Sequence, residues 1–181
     1  AFRSGRSDDL IEAMAGLISV EYAQLERDSA DVRRQAFAHA VRRLAKPVML
    51  RKLAALRHQR SDDPGAVARL QAVLDRYGAD GANALIDEYA NAPTAEARKT
   101  CLDALRDLRR AHDALFALAR DAEPPVVRLA AMILGDLGEP KGEELLVEML
   151  QHTDANARRS AVAALSRFPG DRALEALGVS L

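Results

Sequence analysis

The chain has 181 residues, 49% of them hydrophobic and 29% charged, which is enough apolar side chain to bury a core and excludes an intrinsically disordered segment. Its formal net charge of −1 gives no whole-molecule attraction to nucleic acid or an anionic membrane, and its single Cys excludes an internal disulfide or a cysteine metal cluster. Aromatic residues are 4% with no Trp, so Ala and Leu must carry the core, a composition suited to closely packed helices.

A lone thiol fits a reducing compartment, and a cytoplasmic location is expected. The least polar stretch, "AMAGLISV" at Ala13 to Val20, is too short for a membrane span and runs straight into Glu21, so no direct membrane contact is expected. The opening "AFRSG" lacks Met and points to a fragment or processed product.

The first predicted element is a helix over Asp8 to Leu25, starting after Ser7; it departs from the pattern that follows and reads as an N-terminal capping helix, residues 1–28. Ser29 then opens "DVRRQAFAHAV", where Val32, Ala36, Ala40 and Val41 or Leu44 form an apolar stripe, and a second helix follows over Val48 to His58. Asp63 before Pro64 starts a degraded version, with Val67, Leu70 and Leu74 as the stripe, followed by a helix over Ala82 to Ala90. Thr94 after Pro93 starts the next, with Ala97, Cys101, Leu105 and Leu108 on one face and a partner helix over His112 to Arg120. "EPP" at Glu123 to Pro125 introduces Val126, Ala130, Leu134 and Leu137, then a helix over Glu143 to Gln151. Asp154 opens the last, with Ala157, Ala161, Leu165 and Phe168, before a helix over Arg172 to Leu177.

Each start has a local reason. An Asp, Ser or Thr oxygen accepts an orphan amide proton of the first turn, and Pro at the first helical position loses no bond that it would have made. Gly78, Gly81, Gly138, Gly142 and Gly170 fall between apolar runs, where a left-handed closing residue is expected. Spacings of three and four keep each stripe on one helical face. "AEARKTCLDAL" at residues 95–105 returns as "ANARRSAVAAL" at residues 155–165, with Arg98 and Lys99 matched by Arg158 and Arg159. Two helices recur about every thirty residues, the signature of an α-solenoid. The array is expected over residues 29–181, in units of about 29–60, 61–91, 92–121, 122–152 and 153–181. Small residues at Ala36, Ala130 and Ala161 would let neighbouring first helices approach closely.

The pattern of "VVRLAAMILGDLG", Val126 to Gly138, and "NARRSAVAALSRF", Asn156 to Phe168, resembles the HEAT-like repeats, especially the short variety also found in phycobilisome lyases. "EARKTCLDALRDL", Glu96 to Leu108, and "DVRRQAFAHAV", Asp31 to Val41, match it less closely. The resemblance implies an all-α, right-handed α-solenoid of about five two-helix repeats, with the second helices lining a concave side. It also implies that the row Arg33, Arg98, Arg128 and Arg158 joins repeats through Asp partners, for which Asp31, Asp121 and Asp154 are at hand. It concerns fold and carries no bilin chemistry across.

Catalytic motifs are not found. The four His residues, His39, His58, His112 and His152, occur singly, without H-E-x-x-H spacing, so no metal or other cofactor is expected. "GEPKGEE" at Gly138 to Glu144 has glycines and Lys141 but no following Ser or Thr, and reads as a turn between helices rather than a phosphate loop. Cys101 holds the small-residue position of Ala161, so a packed, inert thiol is expected. Adjacent carboxylates such as Asp62 with Asp63 or Glu143 with Glu144 point apart and suit helix starts better than glycoside chemistry.

The remaining feature is a charge block. Val32 to Arg60 holds nine basic residues and no acidic one, whereas Asp62 to Glu123 holds twelve acidic and eight basic, and Val126 to Leu181 eight acidic and six basic. The expected function is therefore a non-catalytic protein-interaction scaffold, or a regulatory repeat domain of a larger bacterial protein, with an acidic protein partner drawn to the basic end. The alternative is a nucleic-acid-binding module using residues 33–60, although no base-reading group is identified and Phe37 is the block's only aromatic residue. Candidate contact residues on the second helices are Arg51, Lys52, Arg57, Asp87, Glu88, His112, Glu144 and Glu148.

Overall fold

A computed structural model describes residues 46–121 and 123–180 together with Asp9, Ala13, Met14 and Gly16. Of the expected capping helix at 1–28 the four described residues, Asp9, Ala13, Met14 and Gly16, are helical and Met14 is buried; its other residues, the helix starts at Ser7 and Ser29, the stripe in "DVRRQAFAHAV", and Arg33, Arg34, Arg42 and Arg43 of the basic block lie outside the described residues. From Pro47 onward the described residues form nine helices and no strand. None of these helices is long and apolar enough to cross a membrane.

The chain divides into two compact units, Ala1–Arg109 and Arg110–Leu181. The first contains α1 (Pro47–Gln59), α2 (Pro64–Arg76), α3 (Ala79–Asn91) and α4 (Ala95–Arg106); the second contains α5 (Ala111–Ala119), α6 (Pro124–Leu137), α7 (Pro140–Met149), α8 (Ala155–Leu165) and α9 (Asp171–Ser180). In the first unit α1 packs on α2, α3 and α4, and α3 packs on α2 and α4. In the second, α6 packs on α5, α7 and α8, while α7 also meets α5, α8 and α9. Helices thus meet their chain neighbours, and α1 with α3, α5 with α7, α6 with α8 and α7 with α9 also meet across one hairpin, the nearest-neighbour packing of helical repeats. The fold class is all-α, of the α-solenoid kind.

The helix starts are made as the sequence dictates. The amides of Ala66, Ala97 and Ala157 donate to Asp63 Oδ1 at 3.0 Å, Thr94 Oγ1 at 3.1 Å and Asp154 Oδ1 at 2.8 Å. The three donating alanines are themselves buried, so each cap also fixes where the core stripe begins. Its amide bonds hold the Asp63 carboxyl below the usual carboxylate range. At α6 no side chain caps Glu123; two prolines open the helix there instead and remove two donors that would otherwise need partners.

The stripes Ala97, Cys101, Leu105, Leu108 and Ala157, Ala161, Leu165, Phe168 are buried throughout. In α2 and α6 the register differs by one residue: Val67 and Val126 are half-buried, and Ala66 and Val127 face the core. Leu53, Leu70, Leu74, Leu115, Leu146 and Leu165 are fully enclosed, each side chain contributing about 2 kcal/mol by leaving water.

The glycines divide into two groups. Gly138 closes α6 in the left-handed region at φ 66° and donates to Leu134 O at 3.1 Å, and Gly78 also has positive φ. Gly81 and Gly142, expected to close helices, lie inside α3 and α7. Gly81 is required for approach rather than for conformation: a Cβ there would stand 2.1 Å from the Leu74 carbonyl oxygen of α2.

The expected arginine row does not make the expected pairs among the described residues. Arg98 is exposed and Arg128 half-buried, while Arg158 donates to the carbonyls of His152 at 2.7 Å and Thr153 at 3.0 Å. Asp121 accepts the Glu123 amide at 2.8 Å, and Asp154 is spent as a cap. The ties between successive first helices come from elsewhere. Asp75 at the end of α2 meets Arg109 beyond α4 at 2.9 Å, and Asp136 at the end of α6 meets Arg167 beyond α8. Both acceptors sit nine residues after the first core residue of their helix, Ala66 in one case and Val127 in the other.

Candidate interaction site

The expected contact residues lie on α1 and α3 in the first unit and on α5 and α7 in the second. In the first unit Arg51 of α1 and Asp87 of α3 face each other, Nε to Oδ2 3.7 Å, with 52% and 53% of their side chains exposed. They rim a shallow groove of about 140 Å³ that also involves Leu50, Asp80 and Asn83. Lys52 and Glu88 are half-buried.

Arg57 does not belong with them. Only 7% of it is exposed, and its Nη1 donates to Thr100 O of α4 at 3.0 Å. Burial pushes its guanidinium below the ordinary arginine value, with Asp107 in partial compensation. The side chain reaches between helices and holds a carbonyl of α4, so it is a packing residue and not a contact for a partner.

The second unit gathers more. His112 Nε2 lies 2.6 Å from Glu139 Oε2 at the start of α7. The His112 ring stands edge-on to Phe116, centroids 6.0 Å apart at 83°. The guanidinium of Arg120 covers the Phe116 ring at 6.0 Å and reaches Glu148 Oε2 of α7 at 2.9 Å. His112, Phe116 and Arg120 follow at intervals of four, which puts them in one row along α5 and its C-terminal cap, with Glu139 and Glu148 closing the row at opposite ends of α7. Glu144 and Glu148 are exposed.

Of the expected residues, this arrangement brings His112 and Glu148 to one surface, with Glu144 on the same short helix. Phe116, Arg120 and Glu139 complete it and were not singled out from the sequence, although the four-residue spacing from His112 was there to be read. The ion pair and the cation–π contact are each worth about 1 kcal/mol or less at this exposure, so they orient side chains more than they hold the fold. A flat aromatic ring set between cationic and anionic groups suits recognition of a peptide surface. It offers no activated nucleophile. Cys101, the one thiol, lies in the other unit, buried, with burial pushing its pKa up to about 11. Among the described residues no group of three His, Cys, Asp or Glu is placed to hold a metal ion.

Comparison with known proteins bears on the fold. Residues 112–179 match the family model described as HEAT repeats. A solved structure of an engineered protein is similar at 19% identity, over 94% of this chain and 67% of that one, with a TM-score of 0.38. No curated protein matches. The family match falls on the second unit, whose helices carry the two clearest copies of the repeated motif, and there residues 112–179 are similar to HEAT repeats.

Proposed function

We propose that the chain is a non-catalytic protein-interaction scaffold or regulatory repeat domain, one piece of a larger bacterial protein, that takes its partner on the α5–α7 surface. The observation that carries the reading is the row His112, Phe116 and Arg120, a ring between a His–Glu and an Arg–Glu pair. Aromatic and arginine side chains are the residue types that concentrate binding energy at protein interfaces. HEAT repeats generally serve as protein-binding surfaces, and α7 adds Glu143, Glu144 and Glu148 against a single Lys141, so the partner segment here carries basic side chains beside an apolar one. The acidic partner expected for the basic block would engage other residues.

The test is affinity capture with the full chain and with a Phe116→Ala, Arg120→Glu variant, the fold of each confirmed by circular dichroism. A protein retained by the chain and weakened at least about thirtyfold by the variant is the expected result, the loss of one aromatic anchor being roughly 2 kcal/mol. Equal retention by both would remove this surface from the reading. Turnover of any substrate by the captured chain would overturn the non-catalytic assignment.

A further inference from the structure

The outer faces of α6 and α8 enclose a groove of about 420 Å³ within the second unit. Its two walls are rows at three- and four-residue spacing: Arg128, Leu129 and Met132 from α6, and Ser160 and Ala163 from α8 with Arg167 just beyond its end. These are not the core stripes, which point the other way. The helices can approach closely because Gly135 of α6 sits against Ala164 of α8, where an added Cβ would stand 2.7 Å from the alanine Cβ. The side chains of α8 are small along this row, so the floor stays low, while Met132 stands 38% exposed beside it. An array that used this face only to meet water would place long charged side chains at Ser160 and Ala163.

The charge of the lining is one-sided. Among its described lining residues Arg128 and Arg167 are the charged ones and none is a carboxylate. Arg167 is tied to Asp136 at the edge; Arg128 makes no ion pair among the described residues. The groove along α2 in the first unit is the internal contrast, because there Arg57 is accompanied by Asp75 and Asp107. That groove sets two carboxylates beside its arginine, whereas the described lining of the α6–α8 groove offers Arg128 none.

We propose that the α6–α8 groove docks an acidic amphipathic helix from a partner protein, apolar side chains over Ala163 and against Met132 and Leu129, and a carboxylate on Arg128. The apolar wall, and a described lining without an aromatic ring, favour a protein helix over single-stranded nucleic acid. The volume admits a few side chains and not a folded surface. The proposal rests on the chain being a protein-binding scaffold but not on the α5–α7 surface, so the capture experiment above and the one below fail separately.

The probes are three fluorescein-labelled helical peptides, alike except that their polar face is Glu, Gln or Lys, titrated against the full chain and followed by anisotropy. The expected result is saturable binding of the Glu peptide alone. Arg128→Glu and Ala163→Glu each weaken it roughly tenfold or more; Ala163 is exposed, so its carboxylate occupies the groove without burdening the core. Arg98→Glu, an equal change of charge on an exposed residue of the first unit, leaves it unchanged. Equal binding of all three peptides, equal loss in Arg98→Glu, or no saturable binding up to about 1 mM would overturn the proposal. So would self-association of the chain in sedimentation that Ala163→Glu abolishes, since the occupant would then be a second copy.

Discussion

At the scale of single residues, Cys101 shows how a repeat position decides chemistry. It fills the slot that Ala161 fills two hairpins later, 2% exposed and packed as a small apolar side chain. Burial dominates its titration and the carboxylate of Glu88 adds to it, so the folded thiol keeps its proton to about pH 11, while the ordinary value is near 9. Between those values the unfolded chain holds fewer protons than the folded one. Stability therefore falls as pH rises past about 9 and levels off above about 11. Cys101→Ala should flatten that part of the slope in urea midpoints measured across the range, and the native thiol should react with iodoacetamide only as fast as the chain opens. A slope identical in the two proteins would mean that the thiol is not shielded as its position indicates.

At the scale of elements, the short hydrogen-bond loops were legible and the long-range contacts were not. Asp63, Thr94 and Asp154 could be read as caps because a cap joins residues three apart, and the stripe from Ala97 to Leu108 because a helix puts such residues on one face. Arg57 was misread from its charge, yet Leu50, Leu53, Ala54 and Arg57 are the buried residues of α1, and their spacing of three, one and three already placed the arginine on the core side. The Asp75–Arg109 tie spans 34 residues, and no periodicity announces which acidic residue will meet which basic one. Gly81 belongs to the same class: its helix was visible, its crossing was not. Gly81→Ala drives a Cβ into the backbone of Leu74 at 2.1 Å, where no side chain can turn aside, and α2 and α3 must part. A loss of about 2 kcal/mol or more in unfolding free energy is expected. Gly65→Ala is the matched comparison, since its Cβ meets only the ends of the Asp63 and Arg69 side chains at 3.3 and 3.5 Å; it should be neutral or stabilise by a few tenths of a kcal/mol through helix propensity. Equal losses for both would show that propensity, not the crossing, sets the cost.

At the scale of the whole molecule the question is whether the basic block can act as a field. The net charge is −1, so any attraction to nucleic acid must come from residues 33–60 alone. Two of its described members are already committed: Arg57 is turned inward on Thr100 O, and Arg51 stands 3.7 Å from Asp87. Elsewhere Arg109, Arg110 and Arg120 are each held by a carboxylate at 2.9 to 3.1 Å. An arginine that already has a counter-charge gains little by meeting a phosphate, because it must give up one partner for the other and releases fewer condensed ions in doing so. Duplex DNA and single-stranded RNA, titrated by anisotropy, should therefore show no saturable binding at about 50 mM salt, and charge reversal of Arg51 and Lys52 should change nothing. Binding that is present there, falls by orders of magnitude by about 200 mM and vanishes on the reversal would mean that the block collects phosphates despite these pairs. The proposed scaffold role would then give way to recognition of a polyanion, and the α5–α7 row would lose the place of main docking surface proposed for it.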